Sequence, residues 1–108
     1  ITGDGTQTRD FTYVGDVVRA NILAMKSDLA KSGEVMNVGG NHNYSMNDIA
    51  EKIGGEVEFL PPRIEPHDTL ADTAKARELI GWHPETDIDE GLADTIRWFE
   101  TKYNCRIR

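Results

Sequence analysis

Apolar residues recur along the chain at two spacings, and those spacings predict its elements. Val18, Ile22 and Met25 fall at helical intervals and Leu29 continues their stripe, which predicts a helix over residues 17–28 with Asp16 as its cap. Ile49 and Ile53 follow Ser45 and Asp48, a close variant of the capping box, so a second helix opens at Ser45 and stops at Gly54 and Gly55. A two-turn helix capped by Asp72 or Thr73 ends near Gly81, with Leu79 and Ile80 inward. The longest regular stripe, expected to be the buried side of the last helix, is Ile88, Leu92, Ile96, Phe99 and Tyr103, opened by Asp87 and Glu90. Between the helices, alternation predicts short strands at residues 9–14, 34–38 and 56–60. Phe11 and Tyr13 share one face of the first, and Val57 and Phe59 one face of the last. Residues 69–71 add a short extended piece, and Gly- or Pro-rich loops fill the gaps. The order is strand, helix, strand, helix, strand, helix, helix. It predicts an α/β fold, with some strands parallel across helical connections.

Length and charge narrow the picture. The 108 residues suffice for one domain and not two. No segment approaches the roughly 18 apolar residues of a membrane span, and residues 1–10 lack the basic and apolar regions of a signal peptide. The first residue is not Met, which leads us to expect a piece of a longer protein. A net charge of −7 repels polyphosphate and argues against nucleic acid as a partner. It leaves room for a small anion held by a few arginines at short range. One cysteine, Cys105, cannot form an internal disulfide, which fits a reducing cytoplasm, and no neighbouring feature activates it.

Few residues carry a recognisable chemistry. Gly3-Asp4-Gly5 looks like the start of a dinucleotide fingerprint, but no strand precedes it and no helix follows at once, so it reads as a turn. His42, His67 and His83 have neither zinc-ligand spacing nor a cysteine pair nearby. Ser45 is explained as a helix cap, with no nucleophile elbow around it. Two arginines stand out by position. Arg9 enters a strand from a polar loop, and Arg63 follows Pro61 and Pro62 in a loop that leaves a strand end, where ligands of open α/β sheets collect. A guanidinium fork suits phosphate oxygens. By themselves, both arginines are better explained as surface charges.

The run from Gly3 to Asp16, with Gln7, Arg9, Asp10 and Phe11 at its centre, resembles a motif of the extended short-chain dehydrogenases/reductases, in the NAD-dependent epimerase/dehydratase family. Further pieces resemble that family in its own order. They are Asn37 to Gly40, Tyr44 to Ala50, Ala71 to Ala76 with Leu79 to Pro84, and Glu90 to Leu92 with Thr95 to Trp98. The resemblance covers nearly the whole chain, and its style is UDP-glucose 4-epimerase-like.

It implies that residues 1–108 are a C-terminal nucleotide-sugar-binding domain: a small substrate-binding lobe of short strands and about four helices, without the Rossmann domain that would bind NAD. It implies that Arg9 holds the diphosphate of a UDP-sugar-like substrate, with Phe11 near the nucleotide. Arg63 matches the second diphosphate arginine. Glu65 stands where the family has an acid for the ribose hydroxyls, although the glycine before it is missing and the loop is one residue shorter. Asp16 matches a family aspartate and reads as a structural cap.

The Tyr-x-x-x-Lys pair that does acid/base chemistry in such enzymes is not present: Val17, Asp48 and Ile107 stand four residues after Tyr13, Tyr44 and Tyr103. The chain alone is therefore expected to be inactive and to hold no cofactor, NAD belonging to the full-length parent. Its expected partners are a nucleotide-diphosphate sugar and the missing NAD-binding domain. The face that domain would cover is expected to be bare and to drive self-association. Two alternatives remain: the same portion of a 4,6-dehydratase or decarboxylase, and a non-catalytic module binding a nucleotide or a protein.

Overall fold

The computed structural model describes residues 1–30 and 32–107. Its elements are β1 (Thr8–Asp10), α1 (Val14–Lys26), β2 (Asn43–Ser45), α2 (Met46–Ile53), α3 (Ala74–Ile80) and α4 (Ile88–Tyr103). The chain is thus α/β, with four helices and one two-stranded sheet among the described residues.

The helices start and stop where local chemistry dictates. In α2 the capping box is complete: Asp48 N–H donates to Ser45 Oγ at 3.0 Å, and Ser45 N–H donates to the Asp48 carboxylate at 3.0 Å. Asp87 accepts from Glu90 N–H at 2.9 Å and opens α4, which ends on Asn104 in the left-handed region. Gly81 ends α3 at φ +66°, a conformation that favours glycine, and the reversal feeds Trp82 into the core. α1 departs from expectation. It begins at Val14, so Asp16 is not its cap but a buried residue within its first turn.

The sheet is smaller than expected, and its strands run in opposite directions. β1 and β2 pair antiparallel, with Arg9 opposite Tyr44. Parallel pairing occurs among the described residues as two bridges, Thr2 with Leu60 and Thr8 with Asp68. The first expected strand stops at Asp10, because residues 11–13 lead into the helix. Residues 34–38 are not a strand. Their alternation is still physical, since Met36 and Val38 pack on the core while Val35 faces water. Residues 56–60 contribute a single bridge at Leu60, with Val57 and Phe59 exposed. Alternation reports which side chains find apolar neighbours, whereas a strand also needs a neighbour with free backbone groups.

The core is centred on Trp82, which is fully buried between Ala20 of α1 and Ala76 of α3. Small residues on both helices let the backbones approach, and the indole fills the gap. Leu23, Met36, Val38 and Ile80 pack around it. The indole N–H donates to Asp16 O at 2.9 Å, so burial leaves no polar atom unpaired there. Ala20 and Leu23 therefore form the inward side of α1. The longer stripe of Val18, Ile22, Met25 and Leu29 faces out, with Met25 84% exposed. On α4, Ile88, Leu92 and Ile96 are half-buried, but Phe99 and Tyr103 are exposed beside Trp98.

Candidate functional site

Residues 61–67 form an exposed arch whose two ends are tied to the first ten residues of the chain. At one end Leu60 N–H donates to Ile1 O (2.7 Å) and Gly3 N–H donates to Leu60 O (2.9 Å). At the other end Thr8 N–H donates to His67 O (2.8 Å) and Thr69 N–H donates to Thr8 O (3.2 Å). Pro61 and Pro62 keep the intervening backbone out of helix. The arch therefore stands against β1, where Arg9 lies.

Arg9 is oriented by backbone. Its Nη1 donates to the carbonyls of Thr8 (2.7 Å) and His67 (3.2 Å), and its Nη2 donates to Glu65 Oε2 at 2.8 Å. Arg63 lies two residues before Glu65, so its Cα is within about 7 Å of that of Glu65. It is exposed, with no hydrogen bond or ion pair among the described residues. Arg9 thus belongs to the same edge of the molecule as Arg63 and Glu65, which lie far from it in sequence. Glu65 faces Arg9.

β1 is fixed from its other side by Asp10. Asp10 Oδ1 accepts from Gly40 N–H at 2.5 Å, and Oδ2 accepts from Ala71 N–H at 3.0 Å. A Cβ on Gly39 would lie 2.4 Å from Asp10 Oδ2, and one on Gly40 would lie 2.4 Å from Phe11 O. The paired glycines allow that close approach. One carboxylate thereby joins three segments and sets the position of Arg9 and Phe11 on either side of it.

Phe11 lines a cavity of about 980 Å³ together with Tyr13, Tyr44, His83, Leu92 and Trp98. Arg9, Arg63 and Glu65 are not among its lining residues. The four residues expected at the site therefore divide: Arg63 and Glu65 on the arch with Arg9 facing it from β1, and Phe11 at the cavity. Tyr13 O–H donates to Asp94 Oδ2 across the cavity at 3.4 Å, a long contact. These walls come from four separate segments, and no spacing in the sequence links them.

Near the arch, His67 Nδ1 lies 3.0 Å from Asp68 Oδ2, and its Nε2 lies 3.3 Å from Thr6 Oγ1. A hydroxyl, an imidazole and a carboxylate in line suggest a nucleophile, but the Thr6 hydroxyl donates its proton to Asp4 Oδ1 at 2.7 Å. The imidazole does not activate it. Hydrogen bonds from the Thr6 N–H and hydroxyl hold the Asp4 carboxyl below its ordinary range, and the contacts with His67 and then Thr8 do the same for Asp68. Among the described residues no group of His, Cys, Asp and Glu could hold a metal ion. No helix of the described residues is long and apolar enough to cross a membrane. Gly3 and Gly5 both have positive φ, in a turn that runs on into β1 rather than a helix. That geometry does not fit a dinucleotide cradle.

The profile of the family described as GDP-mannose 4,6 dehydratase matches residues 1–95. The UDP-glucuronate 4-epimerase of Thermodesulfobacterium geofontis is 41% identical over 106 residues, which cover 91% of this chain and 32% of that protein. The UDP-N-acetyl-alpha-D-glucosaminuronate decarboxylase of Bacillus cytotoxicus is 34% identical over 112 residues, covering 92% of this chain and 34% of that one. Among solved structures, UDP-glucuronic acid 4-epimerase from Bacillus cereus, in complex with UDP-glucuronic acid and NAD, superposes with a TM-score of 0.82 at 34% identity. That match covers 95% of this chain and 35% of that one. The chain spans about a third of the length of the curated relatives it matches.

Proposed function

The chain belongs to the GDP-mannose 4,6-dehydratase family, within the NAD-dependent epimerases and dehydratases of the extended short-chain dehydrogenase/reductase class, and from that membership we propose that it is the substrate-binding portion of a nucleotide-sugar epimerase. In this reading Arg9 and Arg63 hold the diphosphate of a UDP-sugar, Glu65 accepts from the ribose hydroxyls, and Phe11 lies against the nucleotide.

The observation that carries the reading is the setting of Arg9. Two backbone carbonyls fix its guanidinium, and an arch bearing a second arginine stands beside it. A guanidinium preset by backbone loses little freedom when an anion arrives. A pyrophosphate bridge carries about two charges, and a charge-assisted bond to each arginine contributes roughly 1.5–3 kcal/mol. Such binding orients the sugar for a reaction carried out elsewhere. These residues offer no acid/base pair. NAD, which supplies hydride transfer when bound, would be held by a dinucleotide-binding part outside them.

The test is titration of UDP into the full-length protein. Arg9→Ala is expected to weaken binding about 10- to 100-fold, which corresponds to one charge-assisted bond. Unchanged affinity in that variant defeats the assignment. Product analysis with NAD and UDP-sugars then separates the chemistry. A 4-epimer supports the epimerase. Loss of carbon dioxide supports a decarboxylase, the second reading, which the Bacillus cytotoxicus relative favours. A 4-keto-6-deoxy product points to a dehydratase.

A further inference from the structure

The anion position beside Arg9 is filled from within the chain. Glu65 Oε2 lies 2.8 Å from Arg9 Nη2, and the pair is partly shielded, with the two side chains 38% and 25% exposed. The other partners of the guanidinium are the carbonyls of Thr8 and His67. Those carbonyls belong to backbone that is itself hydrogen-bonded, since Thr8 O accepts from Thr69 N–H and His67 O accepts from Thr8 N–H. They are held in place by the tie between β1 and the arch whether or not Arg9 donates to them. Glu65 is different. It is an exposed side chain on an exposed arch, and a rotamer change suffices to release it.

We propose that Glu65 is an internal counter-ion and that ligand entry is an exchange: the diphosphate takes Arg9 from Glu65, and the freed carboxylate turns to the hydroxyls of the same ligand. The inference rests on the reading of Arg9 and Arg63 as diphosphate ligands. Its physical sense lies in the charges. An anion that meets Arg9 alone replaces one guanidinium–anion pair with another and gains little. A diphosphate brings a second charge for Arg63, which has no ion pair to give up among the described residues. That second pair is the net gain, so the arrangement favours a bridge of two phosphates over a lone anion.

The experiment is calorimetric titration of the full-length protein with inorganic pyrophosphate and, separately, UDP, for the unaltered chain and for Glu65→Ala, Glu65→Gln and Arg9→Ala. Both Glu65 variants are expected to tighten pyrophosphate about three- to fivefold, the scale of a partly exposed ion pair. UDP should gain less than pyrophosphate in Glu65→Ala, because the ribose loses its acceptor. Pyrophosphate affinity that is unchanged or weaker in both Glu65 variants, while Arg9→Ala loses it, overturns the exchange and leaves the diphosphate reading intact. Pyrophosphate that binds Arg9→Ala as well as the unaltered protein overturns both.

Discussion

At the scale of single residues, carboxylates organise this chain more than any apolar group except Trp82. Asp16 is the clearest case. It is buried, its oxygens accept from the backbone N–H groups of Glu85 and Thr86, and Arg19 Nη2 donates to it at 2.9 Å. Arg19 also donates to His83 O. Burial pushes the Asp16 carboxyl up, but the Arg19 and backbone hydrogen bonds outweigh it and hold the group below its ordinary range. A carboxyl whose folded value is lowered contributes stability above its unfolded value, near 3.9, and loses that contribution as pH falls through the folded value. The melting temperature should therefore drop on acidification below about pH 4, and less steeply in Asp16→Asn, whose amide does not titrate there. Identical acid slopes for the two proteins would remove Asp16 from this account. Asp16→Ala, which leaves the Glu85 and Thr86 N–H groups without their acceptor while Arg19 keeps His83 O and Glu85, should cost roughly 2 kcal/mol in a chemical denaturation series. The sequence marked Asp16 as structural but placed it at a cap. The error is physical: a capping residue and a buried bracket look alike until the partner segment, 69 residues away, is in position.

At the scale of elements, what was legible is what depends on near neighbours. The capping box of α2 joins residues three apart, so Ser45 and Asp48 announce it directly. Ser45→Ala should lower stability by about 1 kcal/mol in the same series, and no loss at all would deny the box its role. Asp87 and Gly81 were readable for the same reason. The strands were not. β2 has no apolar alternation in Asn43-Tyr44-Ser45 and exists because β1 lies against it, whereas residues 34–38 alternate and find no ladder. The stripe on α1 was legible as a stripe, but not the side it faces. Ala20, too small to register in a hydrophobic pattern, decides which side of the helix α3 approaches.

At the scale of the whole molecule, too much surface is left over for a chain of this size. The accessible area is 7752 Å², against roughly 6,000 Å² for a folded monomer of its mass. The radius of gyration is 16.4 Å, against about 13 Å. Large apolar side chains contribute to the excess, with the outward stripe of α1 and the Trp98, Phe99 and Tyr103 group of α4 exposed. Such patches favour association. On its own the chain should form concentration-dependent oligomers in light scattering, and Met25→Lys with Trp98→Lys should shift it toward monomer. A monodisperse, high-melting monomer of the unaltered chain would contradict this. By itself the sequence determined the four helices, the caps of α2 and α4, the α/β class and the family, because each rests on residue types at short, fixed spacings or on motifs in a fixed order. Only the tertiary structure decided which stripe faces water, that the strands pair antiparallel, that Asp16 brackets two segments, and that Glu65 rather than solvent meets Arg9. Those outcomes depend on which distant segments touch, and one-dimensional spacing carries no record of that.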